Sequence, residues 1–247
     1  MTLGDFETTY PAPGEHSLRP RRYATLKELA ASHLREQILT GKLVPGSKVE
    51  QEIVSDELGM SRLPVREALI ELTHEGLIES IPRRGAFVAL ITREDIIDHY
   101  RIFGQVAGLA ASRAAGSLDP ESIALLRRHN QAFTAAANPS EQSHWNDEFH
   151  QVINRAGGSR RLRSVLALLH RSLPPQYFEF APEAVEISAN QHDRIITALE
   201  MHDAYQAQRL VEDHLAASGE QAVKMLQGMG YWRNEDEPGH ASGSGWR

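Results

Sequence analysis

Arg62 and Arg66 lie one helical turn apart in the stretch Met60-Ser61-Arg62-Leu63-Pro64-Val65-Arg66-Glu67-Ala68-Leu69. A guanidinium is a planar fork of donors that matches phosphate oxygens and the O6/N7 edge of guanine. The residues around the pair supply a mount for it. Leu58-Gly59 closes the preceding segment, because glycine tolerates the left-handed conformation that ends a helix. Ser61 is placed to cap a new helix with its hydroxyl. Pro64 falls in the first turn, where a missing N–H costs no intrahelical bond. Val65, Ala68, Leu69 and Leu72 recur at i, i+3, i+4 and i+7 and predict an inward face. Arg62 and Arg66 then point outward together, the pattern of a helix that enters the DNA major groove. Arg83, Arg84 and Gly85 form a second basic point in a turn. Taken alone, an Arg-rich turn is usually a solvated turn. In the same small unit as the helix arginines, contact with phosphate or the minor groove is the better reading.

Histidine offers a second kind of chemistry. Of the 12 histidines, His16 and His240 lie in the tails. His74, His99, His129, His144, His170 and His202 show no evident partner and read as surface or boundary residues. Asn146 and His150 are i, i+4 on one helix face, and His192 and His214 lie on successive helices that fold back at His202-Asp203. One amide oxygen and three imidazoles, with positions left for water or ligand, suit Zn²⁺, Ni²⁺ or a similar ion. From spacing alone, three separate core or surface histidines are the commoner outcome.

A chain of 247 residues suffices for two domains that could position these side chains. With no cysteine, disulfides and thiolate metal sites are excluded, which fits a reducing cytoplasm. No apolar run approaches the roughly 20 residues of a membrane helix, and the N-terminus lacks a signal-peptide pattern. The expected location is cytoplasmic. The net charge of −7 is uneven: residues 91–247 carry 15 basic and 20 acidic groups, residues 19–90 carry 11 and 10, and residues 1–18 carry three acids. Any DNA contact must therefore be locally focused, and an acidic remainder limits indiscriminate phosphate binding.

The expected fold is mainly α: an N-terminal winged helix-turn-helix followed by an all-α bundle of six helices. Residues 1–23 read as a flexible tail, with Arg19, Arg21 and Arg22 as a basic cluster beside the first helix. Residues 24–90 form the winged unit. It has helices over about 25–40, 50–58 and 62–75, a brief strand at Lys48-Val49, and strands at 77–81 and 86–90. In the first two helices, Leu26, Leu29, Ala30, Leu34, Ile38, Ile53, Val54 and Leu58 are read as inward. Residues 91–230 form an all-helical domain with room for a core and a pocket, with helices over about 93–115, 119–137, 141–156, 159–172, 182–201 and 203–226. Residues 231–247 read as a disordered tail.

Ser61 to Leu69, Glu75-Gly76-Leu77-Ile78-Glu79 and Arg84-Gly85-Ala86-Phe87-Val88 closely resemble the GntR family of bacterial transcriptional regulators. Asn146-Asp147-Glu148-Phe149-His150, His192-Asp193-Arg194-Ile195-Ile196 and the run from Asp203 to His214-Leu215 resemble the FCD effector domain of its FadR subfamily. The resemblance covers about residues 24–226. It implies a homodimer that binds a pseudo-palindromic double-stranded DNA operator, usually as a repressor, and no enzyme activity. It also implies DNA contacts from Arg35, Ser61, Arg62, Pro64 and Arg66, and from the wing at Arg83, Arg84 and Gly85. Asn146, His150, His192 and His214 are the implied ligands of a divalent metal, with Zn²⁺ foremost and Ni²⁺ or Mn²⁺ as alternatives. A small organic or sugar acid would bind beside it. Asn146 stands where the family commonly has Asp; its amide oxygen still coordinates but adds no charge, and Asp147 points about 100° away around the helix. Phe103 and Ala107 stand where many members have Arg and Glu, so the effector's arginine must come from elsewhere, with Arg101 and Arg163 as candidates. Metal sensing by the regulator, or a metal-dependent hydrolytic enzyme in which the three-histidine centre activates water, are the other readings. No general base for the enzyme is identifiable in the sequence.

Overall fold

The computed structural model describes residues 25–171, 184–228 and 230–232. Helix α1 (Leu26–Leu39) starts at a capping box, in which Thr25 and Glu28 satisfy each other's backbone N–H. Its inward face is Ala30, Ala31, Leu34 and Ile38, whereas Leu26 and Leu29, expected inward, are exposed. After α2 (Gln51–Glu57), in which Val54 is buried and Ile53 exposed, α3 (Arg62–His74) buries Val65, Ala68, Leu69 and Leu72. Strands β1 (Ile78–Ile81) and β2 (Gly85–Val88) pair antiparallel, with Ile78 opposite Val88 and Ile81 opposite Gly85. The strand expected at Lys48-Val49 is reduced to a single bridge from Lys48 to Phe87.

Every described element of the second half is a helix. Its elements are α4 (Arg93–Ala114), α5 (Pro120–Ala135), α6 (Pro139–Gly157), α7 (Arg160–Arg171), α8 (Ala184–Glu200) and α9 (Ala204–Gly228). Asp119 and Asn138 each cap a helix whose next residue is proline; the second, expected as the stop of α5 with the next helix from about 141, is also the start of α6. Helices α4 and α9 run antiparallel in close contact. A Cβ added to Gly108 would meet the Glu212 side chain at 2.9 Å, and one on Gly157 would meet the Ala110 carbonyl oxygen at 1.8 Å. Those glycines bring α9 and α6 against α4, and so fix where the histidines of α6 and α9 can meet.

The winged half does not keep its core to itself. Its apolar cluster also contains Ile96 and Tyr100 from the start of α4, and Ala222, Met225, Leu226 and Trp232 from the other end of the chain. The indole N–H of Trp232 donates to the Ile91 carbonyl at 2.8 Å. The tail expected from residue 231 therefore begins inside a core, because an indole offers a large apolar area and one hydrogen-bond donor to fasten it. The tails at 1–23 and 233–247, including Arg19, Arg21 and Arg22, lie outside the described residues, as does the connection 172–183. Among the described residues no helix is long and apolar enough to cross a membrane.

Candidate nucleic-acid interface and metal centre

Helix α3 turns its apolar back to the core and leaves Ser61, Arg62 and Arg66 exposed on its N-terminal part. Ser61 occupies the N-cap position by backbone geometry, but its hydroxyl makes no capping bond. The Arg62 guanidinium donates to the Glu52 carboxylate of α2. Both side chains are about two-thirds exposed, at 64% and 70%, and a pair so placed is weakly held, so a phosphate can displace it. In the wing, the Arg84 guanidinium rests over the Phe87 ring at 5.5 Å. Arg83 and Gly85, at φ 66° and 113°, make the tight turn. A side chain at Gly85 would also press on Lys48, 3.2 Å away.

Two residues expected at the DNA surface are elsewhere. Pro64 is buried with the apolar face of α3, since the helix's first turn packs inward at that position. Arg35 is buried too: its Nε and NH2 donate to the two carboxylate oxygens of Glu75 at 2.9 and 2.8 Å. With 9% of the Arg35 side chain and none of Glu75 exposed, this fork-to-fork pair ties α1 to the end of α3 and leaves no free guanidinium to reach outward.

In the helical half, His150 of α6, His192 of α8 and His214 of α9 come together, with one ligand atom from each all within 4.8 Å of one another. Two side-chain amides orient the rings. The Asn130 amide nitrogen donates to the Ala189 carbonyl at 3.0 Å and to Asp193 at 2.9 Å. Its oxygen is thereby aimed at His192 Nδ1, 3.0 Å away. Nδ1 carries the hydrogen, and the bare Nε2 of His192 is buried with no partner. Gln191 Oε1 holds His214 Nδ1 in the same way at 2.7 Å, while His214 Nε2 and His150 Nε2 face each other at 3.2 Å. Phe149 stacks on His192 with ring centroids 3.9 Å apart.

Burial, aided by the neighbouring imidazole of His214, pushes His150 down to about 3. Burial takes His214 to about 4 and His192 well below the ordinary histidine value. All three are neutral near pH 7, the state a metal ligand needs. An orphaned buried nitrogen, two more meeting head-on, and outer nitrogens already fixed by hydrogen bonds are a donor set that fits a divalent cation. Asn146, one turn before His150, lines the same cavity as His150 and His214.

That cavity, about 900 Å³, is walled by α6, α7 and α9 and, from the winged half, by Ser32 and Arg35. Of the two arginines expected at an effector, Arg163 lines it. Arg101 is exposed beside Asp98 and is not among the lining residues, because its position on α4 faces away from the bundle. The lining also includes Arg155 and Arg171, which sequence reasoning missed. His170, read as unpartnered, lies 3.3 Å from Asp147, whose hydrogen bond raises the His170 pKa. His99 and His202 bond the Leu169 and Ala115 carbonyls at 3.0 and 2.7 Å. Asn130 and Gln191 carry no signal in the sequence, since an amide has no spacing rule.

Residues 26–88 match the family described as bacterial regulatory proteins, gntR family, and residues 98–217 match the FCD domain. An HTH-type transcriptional regulator of Mycobacterium tuberculosis is 27% identical over 159 residues, which are 63% of this chain and 64% of the relative. The chain thus spans less than two thirds of that relative's length. The HTH-type transcriptional repressor RspR of Escherichia coli is 25% identical over 210 residues, 82% of this chain and 91% of the repressor. Among solved structures, McbR/YncC of Escherichia coli matches with a TM-score of 0.60 at 22% identity, covering 83% of this chain and 99% of that one. That similarity is one of fold.

Proposed function

This chain belongs to the GntR family of bacterial regulators, in the FadR subfamily that carries an FCD domain, and from that premise we propose that it represses transcription by binding operator DNA under the control of an acidic metabolite. Helix α3 enters the major groove with Ser61, Arg62 and Arg66, and the wing places Arg83, Arg84 and Gly85 against phosphates or the minor groove. Two copies bind the half-sites of a pseudo-palindrome, whose centres lie about 34–36 Å apart or a multiple of it. Exposed Ile102 and Leu109 on α4, with Val165 on α7, offer apolar surface for that second copy.

In the bundle, His150, His192, His214 and Asn146 would hold a divalent metal, with Zn²⁺ the best fit and Ni²⁺ or Mn²⁺ the alternatives. The metal would anchor a carboxylate of the effector, a small organic or sugar acid, and Arg163 and Arg155 would meet its remaining charge. The protein works by binding, in the cytoplasm, rather than by turnover. One observation carries the regulatory reading: the cavity beside the histidines is also lined by Ser32 and Arg35 of α1. Occupancy there acts on an element of the DNA-binding half, and a coupling of only about 1–3 kcal/mol suffices for control.

DNase protection and electrophoretic shift on DNA flanking the protein's own gene test the proposal. A salt-sensitive, sequence-specific footprint with two half-sites is expected. Binding that ignores sequence would defeat it.

A further inference from the structure

We propose that the divalent cation and an anionic ligand occupy this cavity as an obligate pair, because the ligand set found among the described residues brings no negative charge into direct contact with a bare dication. The inference rests on the metal-binding reading above and concerns what holds the charge. Three imidazoles and the Asn146 amide are neutral donors. The outer partners are neutral as well: Asn130 bonds His192 and Gln191 bonds His214, positions where a carboxylate would push electron density through the ring to the metal. Among the described residues no Asp, Glu or Cys joins the histidine group.

The rest of the lining deepens the imbalance. Among the described lining residues the one carboxylate, Asp147, is engaged by His170. The arginines among them are four: Arg35, Arg155, Arg163 and Arg171. Two of these have acidic partners outside the cavity, Arg35 with Glu75 and Arg171 with Glu71. Among the described residues Arg155 bonds the neutral amide of Gln151. A dication entering alone adds two charges to a wall already positive, in surroundings that screen charge less than water does. An anion that reaches both the metal and Arg155 or Arg163 removes the penalty at each end. By linkage, metal then tightens the anion by the same factor as the anion tightens the metal.

The experiment measures Zn²⁺ affinity of the full, chelator-stripped chain by competition with a chromophoric chelator. It is run in a buffer of non-coordinating anions, then with added acetate or succinate, and with neutral succinamide. Either acid should tighten Zn²⁺ at least about tenfold, within the usual range of allosteric coupling, and succinamide should do nothing. Asn146→Asp should bind Zn²⁺ about tenfold more tightly without an anion, the scale of a changed metal environment, and lose most of the response to succinate. Gln191→Glu, which leaves the ligands untouched, should shift both quantities in the same direction. Equal, tight Zn²⁺ binding in all buffers would overturn the pairing while leaving the metal site standing. No Zn²⁺ binding in any buffer would overturn both. A folded Asn146→Asp protein with unchanged or weaker anion-free affinity would also overturn the pairing, and circular dichroism verifies that it is folded.

Discussion

Arg171, the last residue of α7, points its guanidinium at Glu71 in the middle of α3, 3.8 Å away. Glu71 also accepts from Lys27 of α1 at 2.7 Å. One carboxylate on α3 is thus shared between the winged half and a residue that lines the cavity beside the histidines. If an acid in the cavity draws Arg171 away, α3 loses a tether to the bundle. Because Arg171 is about half exposed, the link is worth little in stability. Arg171→Ala should leave the melting temperature within about a degree or two. The DNA-binding response to effector should fall severalfold, read as the ratio of operator affinities with and without the acid. An unchanged ratio would remove Arg171 from the coupling.

The contrast between Arg62 and Arg35 gives a second test. Arg62→Ala and Arg66→Ala should each cost about 1–3 kcal/mol of operator affinity and scarcely move thermal stability, since both side chains are exposed. Arg35→Ala should do the reverse. It strands the buried Glu75 carboxylate, a loss of roughly 3–5 kcal/mol in stability. Fluorescence anisotropy on an operator duplex, paired with denaturant melts, separates the two classes. An Arg35→Ala protein of normal stability that no longer binds DNA would restore Arg35 as a contact.

Acid should weaken the metal-free protein. The folded values of His150, His192 and His214 all lie below the ordinary 6.5, so on acidification the unfolded chain takes up protons first. The stability linked to these groups is complete above about pH 6.5 and is drained as pH falls toward their folded values. Each unit of displacement corresponds to about 1.4 kcal/mol per group. Urea midpoints of chelator-treated protein should decline steadily from pH 7 to pH 5, and a flat profile would mean the imidazoles are hydrated.

Trp232 should matter although it lies beyond the last helix. Its ring is buried in the winged-half core and its N–H is bonded to Ile91. Trp232→Ala should cost about 3–5 kcal/mol, whereas truncation after Trp232 should cost almost nothing. Thermal melts of the two proteins check it, and equal losses would show that the residues after Trp232 share the role.

What the chain's order of residues determined unaided is everything that depends on near neighbours. Gly59, Asp119-Pro120 and Asn138-Pro139 mark helix boundaries because capping and φ preferences act within a turn. The spacing of Val65, Ala68, Leu69 and Leu72 defines one buried face and, by exclusion, the exposed side of Arg62 and Arg66. The pairing of Asn146 with His150 on α6 was legible for the same reason.

Only the tertiary structure decided what depends on distant segments meeting. Arg35 and Glu75 are 40 residues apart, and nothing local distinguishes an arginine that will be buried against a glutamate from one that will face a phosphate. Asn130 finds His192 across 62 residues and Trp232 finds Ile91 across 141. These partners are chosen by which helices pack against each other, α1 on α3 and α5 on α8 among them. Packing, which periodicity describes one helix at a time, set those approaches for the bundle as a whole.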